Sequence, residues 1–220
     1  MDVQTDAGVD AALWGLEAAF VAHPPPRTLS GCPHCHGEVR VADADPLTLV
    51  LALGNTLGTG DDLRALTPWL VRRALTGDRV DLRTVLERIA EHWADWTDRE
   101  RDAVRDVVDA VWSALLDTHP DAPDSATAVA MLDSIAALGE PPDRLLAIWE
   151  YKEIASADHH LAELVVDAFY GARVDPRVIT WARADAQRAR LERARDRDRG
   201  RPWAGTITAA CDLAGAGAPD

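Results

Sequence analysis

A chain of 220 residues with 47% hydrophobic and 27% charged residues is long enough to bury a sizeable core, and its composition excludes wholesale disorder. Thirty-seven Asp and Glu against 23 Lys and Arg leave a net charge of -14, which repels phosphate backbones and anionic lipid and argues against nucleic-acid binding. No apolar run approaches the roughly 18 residues of a membrane span, the first ten residues are acidic, and three cysteines build no extracellular disulfide framework, so a cytoplasmic protein is expected.

Val9, Leu13, Leu16 and Phe20 fall on one stripe of a first helix that Pro24, Pro25 and Pro26 must stop. The segment from Pro24 to Gly37 is a loop, and only Glu38 to Ala42 beyond it reads as extended. Asp45-Pro46 caps and opens a second helix, Asp61-Asp62 a third to Leu66, and Thr67-Pro68 a fresh turn leading to Leu75. Asp81 precedes the stripe Leu82, Val85, Leu86, Ile89 and Trp93, and Thr97-x-x-Glu100 is a capping box for a helix carrying Val104, Val108, Val111 and Leu115. Ser125 caps a helix through Leu138, Pro141-Pro142 restart the chain into Leu145 and Trp149, and Ser156 caps one bearing Leu161, Leu164 and Val165. Asp175-Pro176 opens a long Ala- and Arg-rich helix to about Arg195.

This pattern predicts an all-α fold of about nine or ten helices, either an irregular bundle or a HEAT-like stack of antiparallel hairpins. Residues 1–200 form a single domain with a subdivision near 118–124, and 201–220 form a weakly ordered tail.

The sharpest motif is Cys32-Pro33-His34-Cys35-His36. Two thiolates with two residues between them can hold one zinc ion, but a structural site takes four ligands, for which His36 and His23 are the candidates. The competing reading is a pair of buried thiols packed in a proline-locked loop, with redox chemistry a third. Asp158-His159-His160-x-x-Glu163 can place metal-binding or acid-base groups on a helix face, against the alternative of a solvated helix start, and no residue is assigned a catalytic role. Arg183 to Arg201 carries eight arginines against four acids, so it is a basic segment on an acidic chain. Arg188, Arg190 and Arg193 on its outer face, with Trp181 and Trp203 beside them, are the candidate contacts for a protein partner.

Phe20 to His23, Ser30-Gly31-Cys32-Pro33-His34-Cys35, Leu57 to Arg64 with Thr67 to Leu70, the Trp93, Trp96, Glu100, Arg101 stretch and His160-Leu161-Ala162 together resemble a family of uncharacterised bacterial helical proteins with a Gly-Cys-Pro-x-Cys loop. Leu63 stands where that family tends to carry Phe, and Trp69-Leu70 where it carries an Arg-Ile-like pair. The resemblance implies a shared helical fold and no activity. The residues therefore predict a non-enzymatic interaction protein, an adaptor or neutralising partner of another protein; the alternative is a zinc-dependent or thiol-based enzyme centred on Cys32 and Cys35.

Overall fold

A computed structural model describes residues 6–32, 37–77, 79–122 and 126–215, and among these the fold is all-α with a single two-stranded ribbon. The chain divides into two compact units, residues 1–110 with 137–140 and residues 111–136 with 141–220, so the division falls before the 118–124 loop expected from sequence.

In the first unit, Asp6 accepts from the Gly8 N–H and starts α1 (Ala7–Ala19), whose Val9, Leu13 and Leu16 are buried. Strands β1 (Thr28–Ser30) and β2 (Glu38–Arg40) pair antiparallel, so the extended stretch read at Glu38 has a partner that no alternation announced. Asp45 and Pro46 open α2 (Pro46–Ala52) as expected. The next segment corrects the sequence reading: α3 (Gly60–Leu75) runs unbroken through Pro68, and Thr67 Oγ1 donates to the Leu63 carbonyl at 2.9 Å instead of capping a new helix. Leu63, Leu66 and Leu70 on both sides of the proline are buried, and that burial outweighs the one ladder bond lost. Asp81 caps α4 (Leu82–Ala90), and Trp93 lies past its end on a short 3-10 turn.

Thr97 and Glu100 form the expected capping box at the start of α5 (Asp98–Asp117). Glu100 does more than cap. Its buried carboxylate accepts from Arg64 Nε at 2.7 Å and again from Arg64 Nη2, and lies 3.2 Å from His23 Nε2. Burial alone would raise this carboxyl, but the Arg64 and Thr97 hydrogen bonds and the Arg64 charge outweigh it and hold it at about 2. A folded value below the ordinary 4.5 stabilises the native state above that ordinary value, and the contribution disappears as pH falls from 4.5 towards 2. It amounts to about 3 kcal/mol. Urea unfolding should therefore weaken by that order across this window in the parent chain, whereas Glu100→Gln should remove this part of the pH dependence. Equal slopes for the two proteins would contradict the assignment.

In the second unit, α6 (Ala128–Ala136) is capped by Thr127, whose Oγ1 accepts from the Ala130 N–H at 3.1 Å; Ser125, the expected cap, lies outside the described residues. Beyond α7 (Asp143–Tyr151) comes α8 (Ala155–Phe169), on which α6 and three later helices pack. The expected long Arg-rich helix is two, α9 (Pro176–Ala182) and α10 (Asp185–Arg197). The expected weakly ordered tail contains α11 (Ala204–Gly215), which with the split helix brings the described helices to eleven. Its alanines favour helix, and Ile207 and Ala210, three residues apart, bury fully in its packing with α8 and α10. No described helix is long and apolar enough to cross a membrane.

Candidate metal centre

Residues Ser156 to Ala162 of α8 are buried without interruption, so this half of the helix is enclosed all round rather than along one stripe. A fully enclosed turn must satisfy every polar side chain internally. Ser156 Oγ donates to the Leu116 carbonyl at 2.7 Å. Asp158 accepts from Arg190 Nε at 2.5 Å and from Arg197 Nη1 at 2.7 Å. His160 Nε2 lies 3.0 Å from both the Leu115 and the Thr118 carbonyls. Two acceptors on one nitrogen require that nitrogen to carry the hydrogen, which leaves His160 Nδ1 bare, and it has no hydrogen-bond partner among the described residues. Burial pushes the His160 pKa below its ordinary value. The imidazole thereby ties the end of α5 to α8 and positions the residue that follows Thr118.

That residue is His119. Its Nδ1 accepts from the Asp121 N–H at 3.3 Å, so its hydrogen sits on Nε2, which faces His159 Nδ1 at 3.3 Å. Asp121 Oδ2 is 3.7 Å from His119 Nδ1, and one ligand atom from each of His119, Asp121 and His159 lies within 4.8 Å of the other two. Tetrahedral bonds of 2.0–2.1 Å to a zinc-class ion hold neighbouring nitrogens about 3.3 Å apart. The two imidazoles already stand at that separation with one proton between them. His159 is 1% exposed, and burial, followed by the neighbouring His119, lowers its pKa, so its Nδ1 lone pair is available at neutral pH.

One helical turn beyond His159 stands Glu163, whose buried Oε2 has no hydrogen-bond partner among the described residues. Burial first, then the charges of Asp167 and Asp121, raise its carboxyl to about 7. A carboxyl raised by burial and by neighbouring negative charge is a group whose ionised form a cation would stabilise. Trp203 closes one side, its ring centroid 4.4 Å from that of His119 and 6.4 Å from that of His159.

Of the metal ligands read from sequence, Cys35 and His36 lie outside the described residues. Cys32 is half-buried at the mouth of the ribbon, its N–H donating to the Thr56 carbonyl at 3.0 Å, and His23 is occupied with Glu100. Of the partner contacts, Arg188 and Arg193 are exposed, the former paired with Asp185. Arg190 is not solvent-facing as its helix position suggested: it is 7% exposed, because Asp158 and the carbonyls of Trp149 and Lys152 satisfy its guanidinium inside the unit. Trp203 packs on the histidines and Trp181 lines a groove between α7 and α9. Trp96 is buried with its ring edge-on to Phe20 at 5.2 Å.

His159 and Asp158, expected on a solvated helix start, are instead interior, and His119 was legible only as part of a chain-breaking loop. The signal that could have found them is charge bookkeeping: Asp158 next to two histidines, matched by Arg190 and Arg197 at i, i+7, describes a buried polar layer. No protein-family model, no curated protein and no solved structure matches the chain.

Proposed function

We propose that the chain is a helical binding protein whose second unit takes up one divalent metal ion of the zinc class. His119 Nε2, His159 Nδ1 and Asp121 are the ligands, and a solvent molecule takes the fourth position. The observation that carries this reading is the 3.3 Å approach of two imidazole nitrogens that share a single proton, with an unpartnered carboxylate oxygen one turn away. For the ion to take the place of that proton, the proton moves to His119 Nδ1 and displaces the Asp121 N–H bond there, so that both imidazoles bind as neutral ligands. His159 is the buried anchor, whereas the side chains of His119 and Asp121 are 27% and 58% exposed, so the ion can enter from solvent and leave again.

Cobalt(II) provides the test, since its visible absorption reports coordination number. Titration of the purified chain should saturate at one equivalent with a tetrahedral spectrum. His159→Gln and His119→Gln should each weaken binding at least tenfold, and Cys32→Ser should leave it unchanged. Binding that survives both histidine substitutions and is lost in Cys32→Ser would overturn the reading and transfer the metal to the Cys32 loop.

A further inference from the structure

The second unit also carries a groove between α7 and α9, whose lining shares no residue with the histidine cluster. It has a volume of about 490 Å³, within the roughly 300–1,000 Å³ range of ligand sites, and its lining includes Asp143, Leu146, Glu150, Arg177 and Trp181. Asp143 and Glu150 are seven residues apart on α7, so they project along one face about 10 Å apart. The two ends are not equivalent. Asp143 faces Arg177 at 3.6 Å, which neutralises that end. Among the described residues Glu150 has only the Trp181 indole, whose Nε1–H donates to its Oε1 at 2.8 Å, and this bond leaves its charge uncompensated.

Trp181 is half-buried and fixed twice, by the Glu150 hydrogen bond and by its ring contact with Trp149 at 5.0 Å. A rigid indole beside an unneutralised carboxylate, over the apolar side chain of Leu146, offers three complementary features: a π-face, a negative charge and a hydrocarbon floor. A long cationic side chain matches all three, its methylenes on Leu146 and Trp181 and its charged head at Glu150. We propose that this groove receives an arginine or lysine side chain from a basic segment of a partner protein. The net charge of -14 draws such a segment towards the chain at long range, and an anionic occupant finds the cation of the groove's described lining, Arg177, already paired.

The test uses the full ¹⁵N-labelled chain and the synthetic peptide Gly-Arg-Gly-Lys-Gly-Arg-Gly-Lys, with the Trp181 indole resonance assigned from Trp181→Phe. The peptide should shift that resonance in a saturable way. Glu150→Gln, whose amide oxygen still accepts from the indole, should weaken binding at least fivefold with unchanged circular dichroism, and a peptide with Gln at every Arg and Lys should not shift it. The proposal is overturned if the Trp181 resonance stays still while others move, or if Glu150→Gln binds as the parent does. It is equally overturned if tetramethylammonium alone shifts the resonance and the peptide does not, which would make the site one for a small cation. His159→Gln should leave peptide binding unaltered, so failure here and failure of the metal reading are separately visible.

Discussion

Replacing Asp158 by alanine is expected to destabilise the second unit by about 3–5 kcal/mol, the cost of stranding a buried charge. Asp158 is 4% exposed and Arg190 7%, and among the described residues that carboxylate is the one anionic group paired with the guanidinium, at 2.5 Å. Without it Arg190 keeps the carbonyls of Trp149 and Lys152, which satisfy hydrogens but not charge. Arg197 loses less, because it retains Asp198 at 2.6 Å and is 43% exposed on its side chain. Arg197 in turn holds the Asp198 carboxyl below the usual range by hydrogen bonding. Asp158→Asn should fall between the parent and the alanine variant, since it keeps acceptor geometry but loses the charge. Urea denaturation followed by tryptophan fluorescence measures both, and a loss below about 1 kcal/mol for Asp158→Ala would mean that Arg190 escapes to solvent.

The second large effect is expected at Trp112. It is fully buried, meets Trp149 edge-on at a centroid distance of 5.2 Å, and donates its Nε1–H to the Leu145 carbonyl at 2.9 Å. Trp112→Ala removes the ring, opens a cavity and leaves a buried carbonyl without its donor, together about 3–5 kcal/mol. Trp112→Phe retains most of the volume and loses the hydrogen bond, so it should cost less than half as much. Equal costs for the two substitutions in thermal unfolding would show that the hydrogen bond, not the packing, holds this pair.

The helices were legible because their ends are written locally. Asp45-Pro46, Asp81 and Thr97-x-x-Glu100 each satisfy backbone N–H groups within three residues, and the structure uses all three as read. The candidate site was not, because it joins residues forty positions apart, such as His119 and His159. Periodicity found the stripe of Leu161, Leu164 and Val165 on α8 but assumed the opposite side wet. That assumption holds for a helix packed on one face and fails for one surrounded by α6, α9, α10 and α11. Arg190 was misplaced for a related reason: a run rich in Arg, Asp and Glu has no apolar moment to orient it, so only its partner Asp158 tells which arginine turns inward.

If the ion is held as proposed, its ligands are imidazole and carboxylate groups of the second unit. X-ray absorption at the zinc edge of the protein loaded with one equivalent of zinc tests this directly. The expected result is a first shell of nitrogen and oxygen at about 2.0–2.1 Å with the outer-shell scattering of two imidazoles, unchanged in Cys32→Ser. A first shell containing sulfur at about 2.3 Å would contradict it and assign the ion to the cysteines.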